Sequence, residues 1–198
     1  MPSISRTVTI DDPSTQGIEV YRGGYLTIAA TCQDSAGSAV DITGAQIKFT
    51  AWDIEAGANE FQLVMTPVTD ASWAANVVTF TAVAHGFAAA DEVIVEDAGN
   101  TNYNGTYTVV SAPTANTFTA ALVGDPGAWT TDGYVSDSTA RITMTTQASG
   151  TFSILLTDTQ TDTDCKIYRY SVWIKLAAGT EHHAAIGQFL ILDGVYDS

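Results

Sequence analysis

Basic side chains are scarce in this sequence of 198 residues. It has 7 Lys and Arg against 22 Asp and Glu, which gives a formal net charge of −15. Proteins that bind nucleic acid use Lys and Arg to neutralise phosphates, and anionic membrane surfaces attract basic segments. The composition therefore predicts neither a nucleic acid nor a membrane as a partner.

Long apolar runs and clustered cysteines are also missing. No apolar stretch has the length of a membrane-spanning helix, and the first 17 residues hold no apolar run of signal-peptide length. The two cysteines, Cys32 and Cys165, lie far apart and outside any C-x-x-C pair. We expect two buried thiols, although a pairing across a sheet stays open.

Helical periodicity is almost absent, and short alternating segments rich in Thr, Val, Ile, Tyr and Phe take its place. The alternation is clear in "YLTIAATCQD", "AQIKFTAWD" and "YRYSVWIKL". In the last of these, one face carries Tyr168, Tyr170, Val172, Ile174 and Leu176. This period is typical of a sheet with one buried face, and the sequence predicts an all-β protein.

The composition changes between residues 68 and 137, which include eight acidic residues and no Lys or Arg. This block has its own series of alternating segments and turns, which indicates a domain inserted into a hairpin of another. We predict one β domain from residues 18–67 plus 138–198, interrupted by an inserted β domain at 68–137; the resemblances given below imply an immunoglobulin-like β-sandwich for the first and a small β-barrel for the second. Residues 1–17 form an amino-terminal arm, which we expect to pack on a neighbouring subunit or to run along the surface.

The stretch "AHGFAAADEVIVEDAGNTNYNGTYTVV" holds a lone histidine, several carboxylates and an Asn-Gly pair. Asn104 and Gly105 predict a tight hairpin turn, in which both residues have positive φ. His85, Gly86 and Phe87 predict a second turn, with the Phe87 ring buried and His85 hydrogen-bonded across it. A catalytic His85 would need a nucleophile and an orienting partner, and no Ser or Cys motif of that kind lies nearby.

Other candidate sites are weaker. Asp158, Asp162 and Asp164 share one loop and could ligate Ca²⁺, but they do not match the EF-hand pattern. His182 and His183 are adjacent, so on a strand they would point to opposite faces, and in a hairpin loop they could share a metal only with distant residues. We predict exposed loop residues rather than a zinc site. No nucleotide-binding, serine-hydrolase or zinc-protease motif occurs. We predict that the protein is not an enzyme and has no cofactor or metal.

The aromatic residues of "YRYSVWIKL" are the candidate binding residues. Alternation places Trp173 on the face opposite the apolar stripe, and aromatic residues are enriched at protein interfaces. We predict an interface that includes Trp173, Tyr168 and Tyr170. Stacking of an exposed aromatic ring on a host-surface glycan is the alternative.

The segment from residue 76 to residue 122 resembles a known module. Its pattern is a Val-Thr strand, A-H-G-F, an acidic D-x-V strand, Y-N-G-T-Y-x-V and N-T-F-T. It resembles a module of tailed-phage structural proteins that is similar to the first catalytic cysteine half-domain of ubiquitin-activating enzymes. Residues 68–137 contain no cysteine. The sequence also departs from the pattern at Ala90, where the family has a Gly before the acidic residue.

The flanking segments carry a second resemblance, on "DITGA", "LTDTQT" and a final Gly-x-Phe strand at Gly187 and Phe189. They resemble the immunoglobulin-like domain at the amino terminus of phage baseplate upper proteins. The two resemblances together imply a structural protein of the virion of a tailed bacteriophage. Such a protein belongs to the baseplate, the tail, the neck or the capsid decoration. Its partners would be other virion proteins and further copies of itself in a homo-oligomer.

Overall fold

The computed structural model describes residues 4–9, 18–34, 36–55, 59–131, 133–179 and 181–193. The strands are β1 (Ile4–Thr9), β2 (Ile18–Tyr21), β3 (Leu26–Thr31), β4 (Gln46–Asp53), β5 (Asn59–Val68), β6 (Asp70–Ala74), β7 (Val77–Thr81), β8 (Glu92–Glu96), β9 (Gly105–Thr114), β10 (Thr117–Ala121), β11 (Gly133–Asp137), β12 (Arg141–Thr146), β13 (Thr151–Leu156), β14 (Ile167–Lys175) and β15 (Glu181–Leu192). A short helix, α1 (Asp158–Thr161), and two 3-10 turns accompany them. The all-β prediction is confirmed.

Alternation of apolar and polar residues determines which face of each strand is buried. In β3 and β4 every second side chain is buried, and the residues between are partly exposed. Ile28, Phe49 and Ala51, which belong to these alternating segments, are at most 1% exposed. None of the helices in the described ranges has the length and hydropathy to cross a membrane.

The chain divides into two compact units. The flanking unit comprises residues 1–43, 47–63 and 140–198, and the middle unit comprises residues 44–46 and 64–139. The sequence-based boundaries for the inserted domain were 68 and 137. The chain passes from the flanking to the middle unit within β5 and returns after β11.

The flanking unit is built from two sheets. One has the strand order β1-β3-β13-β12, and the other has the order β2-β15-β14-β4-β5. Two of the pairings, β1 with β3 and β2 with β15, are parallel. Each sheet buries one face of large side chains, as in a β-sandwich; the largest are Leu26, Ile28, Phe49, Phe152, Tyr168 and Phe189.

The middle unit is one antiparallel sheet in the order β5-β11-β8-β9-β10-β7-β6. Its strands surround one core, whose largest members are Phe80, Phe118, Tyr103 and Tyr107. Within the described residues no pairing joins β6 back to β5, so the sheet is open and the predicted closed barrel is corrected. The physical reason is that only Thr69 separates β5 from β6, which leaves no turn to bring the two strands side by side.

Residues 4–9 of the arm form β1, which pairs with β3 of the same chain; the rest of the arm lies outside the described residues. The prediction of two buried thiols needs correction. Cys32 is buried as expected, but Cys165 is exposed. Cys165 lies in the polar loop between α1 and β14, so it is not part of the alternating pattern that buries side chains in the strands.

Candidate functional site

His85 lies in the turn after β7 and is 2% exposed. Its Nδ1 accepts a hydrogen bond from the backbone N–H of Phe87 at 2.9 Å. Its Nε2 lies 3.3 Å from the backbone oxygen of Thr114. Because Nδ1 accepts, the neutral ring carries its proton on Nε2, which donates to Thr114. Both ring nitrogens are therefore used by backbone groups of the middle unit.

The ring of His85 is also packed against aromatic side chains. It stacks on Phe87 at a centroid distance of 5.4 Å and meets the edge of Phe118 at 5.5 Å. Gly86, between His85 and Phe87, has φ of +76° and makes the turn at no steric cost. The A-H-G-F sequence thus forms a turn in which His85 takes part in both packing and hydrogen bonding.

Asn104 and Gly105 do not form the predicted tight turn. Asn104 has an extended backbone, with φ of −73° and ψ of 137°, and Gly105 begins β9 with φ of +153°. The chain reverses instead through a 3-10 turn at Thr101–Tyr103. The side chain of Asn104 accepts a hydrogen bond from the Ala98 N–H at 2.9 Å and so bridges the loop. The Asn-Gly pair predicts a tight turn from backbone preference alone, and the contact of the Asn104 side chain with Ala98 competes with that turn.

A tight hairpin turn of the middle unit lies between β6 and β7. Ala75 and Asn76 have φ of 51° and 63°, and they connect two antiparallel strands directly. These are the left-handed values that a type I′ turn requires. An Ala at the first position gives little sequence signal, although Asn76 after a strand is a recognisable turn residue.

Trp129 completes the ring cluster of the middle unit. Its ring meets the edges of Tyr103 at 5.2 Å and Phe80 at 6.5 Å. The Tyr103 hydroxyl donates to the Gly127 oxygen at 2.7 Å. Burial raises the pKa of Tyr103, which favours its neutral form. In the described part of the chain the buried Trp129 Nε1 has no hydrogen-bond partner.

Tyr168 and Tyr170 are core residues of the flanking unit, which corrects their assignment to an interface. Tyr168 is 0% exposed and Tyr170 is 5% exposed. Tyr168 stacks on Phe189 at 5.3 Å, and Tyr170 stacks on Phe49 at 5.5 Å. The alternation of β14 turns both rings inward together with Val172 and Ile174. Burial also raises the pKa of Tyr170.

Trp173 lies on the opposite face of β14 and is partly exposed. The Lys48 ammonium of β4 lies over its ring, 5.4 Å from the centroid. This is a cation–π contact. Lys48 and Trp173 are 125 positions apart by their numbers in the sequence, so only the pairing of β4 with β14 could have indicated their contact.

The acidic loop around α1 does not gather its carboxylates. Asp162 forms an ion pair with Arg22 at 2.9 Å, which raises the pKa of Arg22, and Asp164 lies 3.4 Å from Lys166. Asp158 lies in the first turn of α1, where a carboxylate is favourable. Among the residues that the structure describes, no group of three His, Cys, Asp or Glu side chains could hold a metal ion.

The shortest ion pair among the described residues joins Lys166 to Asp53. The Lys166 Nζ lies 2.6 Å from the Asp53 carboxylate, and Asp53 is 5% exposed. Asp53 also accepts a hydrogen bond from the Glu55 N–H at 2.8 Å. The hydrogen bond to Asp53 raises the pKa of Lys166. The contact joins the end of β4 to the residue before β14, so it stabilises the sheet.

His182 and His183 lie in a strand and not in the predicted loop. Their backbones are part of β15, opposite Ile174 and Trp173 of β14. The hairpin loop is shorter than predicted because the pairing of β14 and β15 continues to Lys175 and Glu181. Their side chains fall outside the described part of the structure.

No protein-family model matches this sequence. No curated protein matches it either. Among solved structures it is similar to the phage phi92 endosialidase, with 12% identity over 64% of this chain and a TM-score of 0.25. The match covers 25% of that protein. At this TM-score the likeness carries no argument about fold or function.

Proposed function

We propose that this chain is a non-enzymatic structural subunit of a tailed bacteriophage particle, assembled in repeated copies through protein–protein contacts. The observation that carries the proposal is that His85 and Asn104 of the middle unit form hydrogen bonds within that unit. His85 has both ring nitrogens bonded to backbone groups and its ring packed against Phe87 and Phe118. Asn104 closes a loop through Ala98. These side chains stabilise the fold instead of converging on a substrate.

The sequence motifs supply the phage part of the proposal. The segment 76–122 resembles a module of tailed-phage structural proteins, and it forms β7 to β10 and the loops between them. Under the proposal the flanking unit is an immunoglobulin-like sandwich similar to that of baseplate upper proteins. The position in the particle is the baseplate, the tail, the neck or the capsid surface. The formal charge of −15 suits a subunit kept soluble at high local concentration.

Mass spectrometry of purified particles tests this proposal. Particles released from a host that carries the reading frame are banded on a density gradient, and each fraction is digested and quantified. We expect peptides from both units to follow the other virion proteins at a constant ratio. Recovery of the chain only in the soluble fractions would refute the proposal. A turnover of any substrate that depends on His85 would refute the non-enzymatic part.

Glycan binding at the host surface is the second candidate function. Trp52 and Trp173 both lie on the outward face of the sheet formed by β4 and β14 and are partly exposed. The rings can stack on a sugar ring, and the neighbouring hydroxyl groups of Thr50 and Ser171 can form hydrogen bonds with its hydroxyls. A glycan array with the wild type, Trp173→Ala and the control Tyr25→Ala decides this point. Tyr25 is 47% exposed and lies outside that face. Defined hits that only Trp173→Ala loses would favour this function.

A further inference from the structure

The outward side of β4 and β14 combines positive charge with large aromatic rings. We call it the basic face, defined by Lys48, Trp52, Arg169, Ser171, Trp173 and Lys175. These residues alternate with the buried core residues of the same two strands, so the strands themselves hold them on one side. Three of the 7 Lys and Arg of the chain lie on this face.

The charges of the basic face are only partly neutralised by their own unit. Lys175 pairs with Glu181 at 3.2 Å, and both side chains are about half exposed. Lys48 is held over the Trp173 ring, and Arg169 is exposed. Neither Lys48 nor Arg169 has an ion-pair partner among the described residues. Among the described residues, no carboxylate neutralises Lys48 or Arg169, and the Trp52 and Trp173 rings on the same side are partly exposed.

The middle unit carries a face of opposite character. Residues 68–137 contain eight acidic residues and no Lys or Arg. Two of these acids, Glu92 and Glu96, lie on the outward side of β8, next to apolar and hydroxyl side chains that are partly or fully exposed. We call it the acidic face, defined by Glu92, Ile94, Glu96, Thr106, Thr108 and Val110. Val110 is 59% exposed, although it lies in the middle of a strand.

The acidic face is regular because β8 and β9 pair without interruption. Glu92 lies opposite Thr108, and Ile94 lies opposite Thr106. The Glu92 carboxylate accepts a hydrogen bond from the Ser138 hydroxyl at 3.0 Å, which orients it. Like-charged Glu92 and Glu96 lie on the same side of β8 with no cation in their unit. Four residues along a strand separate the two carboxylates by about 13 Å, so each of them can pair with its own cation from another chain.

We infer that the basic face of one copy binds the acidic face of another copy. This inference rests on the proposed function, because it names the contact through which the copies assemble. The two faces differ, so the contact is heterologous and generates a ring or an open row of subunits. Trp residues are enriched near the centres of protein interfaces. Trp52 and Trp173 of the basic face would pack on Val110 and Ile94 of the acidic face.

Charge distribution explains why such a contact can form between chains that repel each other. Each copy has a formal charge of −15, which opposes association at long range. At about 0.15 M salt the screening length is about 8 Å. Repulsion between the distant parts of two copies is then damped, while Lys–Glu pairs in direct contact are screened much less. We therefore expect self-association to be stronger at about 0.15 M salt than at about 0.01 M.

Zero-length cross-linking of the full chain tests which residues meet. Equal amounts of unlabelled and ¹⁵N-labelled protein are mixed at about 0.15 M salt, treated with a carbodiimide and digested. We expect mixed-isotope peptides that join Lys48 or Lys175 to Glu92 or Glu96. Cross-links at these residues that occur only within one chain would overturn the inference.

Charge reversal provides a quantitative test by sedimentation equilibrium. We expect Lys48→Glu with Arg169→Glu, and separately Glu92→Lys with Glu96→Lys, to weaken self-association at least about tenfold. An equimolar mixture of the two double variants should restore it, because each reversed face then meets a complementary one. Arg22→Glu with Arg141→Glu is the matched control. It makes the same change in net charge as the first pair but leaves both faces intact.

Each outcome of the sedimentation experiment supports or overturns the inference. Loss in both double variants with recovery in the mixture supports it, provided that the control self-associates like the wild type. A monomeric wild type, an equal loss in the control, or a mixture without recovery would overturn it. The proposed function has a separate readout: the chain can be found in purified particles even where these two faces do not bind each other.

Discussion

The two units of this chain make their turns in different ways. In the middle unit five described residues other than glycine have positive φ: Ala75, Asn76, Ala84, Ala90 and Asp97. Among the described residues of the flanking unit, positive φ occurs only at glycines, such as Gly23 and Gly150. A left-handed alanine costs roughly 1–2 kcal/mol. The middle unit therefore holds strained turns that its packing must offset.

The comparison shows where the stability of the middle unit comes from. Ala75, Ala84 and Ala90 do not favour a left-handed backbone by themselves, so the turns at these three residues follow from the strand pairing and from the core. Phe80 lies at the centre of that core, with Phe118 at 5.1 Å and Tyr107 at 5.3 Å between ring centroids. The flanking unit uses glycine at its sharp turns; at Gly150, for example, a Cβ would lie 2.6 Å from the Cys32 oxygen.

The largest expected effect is on the ring cluster. Phe80→Ala should lower the free energy of unfolding of the middle unit by about 3–5 kcal/mol, because it removes a 0% exposed ring and leaves a cavity. Urea denaturation followed by NMR signals of each unit measures the loss. Phe152→Ala is the matched variant of the flanking unit, where the ring is 1% exposed. A loss below about 1 kcal/mol for Phe80→Ala would contradict the central place of this ring.

His85 should give the next largest effect. His85→Ala leaves the Phe87 N–H without its acceptor inside the unit, which costs about 1–3 kcal/mol. His85→Asn keeps a side-chain oxygen near the position of Nδ1, so we expect it to recover part of that loss. Thermal unfolding of the two variants provides the comparison. Equal stability of His85→Ala and the wild type would show that the hydrogen bond contributes nothing to the fold.

Ala90 tests the strain directly. It has φ of 75°. The phage module that residues 76–122 resemble has a Gly at this position. Ala90→Gly should stabilise the middle unit by about 0.5–1 kcal/mol, since removal of the strain exceeds the entropy cost of the glycine. Ala89→Gly is the control, because Ala89 is not among the residues with positive φ. If both variants destabilise equally, the strain at Ala90 does not affect stability.

The smallest effect concerns alkaline pH and the partly exposed ion pair of the flanking unit. The folded state raises the pKa of Lys166 through its hydrogen bond to Asp53. A raised pKa means that the pair stabilises the fold below the unfolded pKa of Lys, about 10.4, and that this contribution is lost as pH rises further. The melting temperature should therefore fall more steeply above about pH 10.4 in the wild type than in Asp53→Asn. Parallel curves would contradict this assignment.

Strand patterns predicted much of the fold. The alternation of "AQIKFTAWD" and "YRYSVWIKL" predicted the strands β4 and β14, because a one-sided sheet imposes a period of two on the sequence. Turn chemistry was less informative. Asn104 and Gly105 match a hairpin signal, yet the Asn104 side chain binds the Ala98 N–H and a 3-10 turn makes the reversal. The tight turn at Ala75 carries little sequence signal.

The candidate site could be predicted only in part. Alternation placed Trp173 outward, but the same alternation turns Tyr168 and Tyr170 into the core, so they belong to a different face. The contact of Lys48 with Trp173 depends on which strands are neighbours, and a single sequence does not encode that pairing locally. Whether the sheet of the middle unit closes also depends on long-range pairing rather than on local pattern.

Determining the tautomer of His85 tests most directly the claim that the polar side chains of the middle unit stabilise the fold. Long-range ¹H–¹⁵N NMR of the imidazole ring at neutral pH reports which nitrogen carries the proton. The structure predicts a proton on Nε2 and an unprotonated Nδ1 that accepts from Phe87. A proton on Nδ1 would contradict the account, because His85 could not then accept the Phe87 hydrogen bond and its ring would be available for another role.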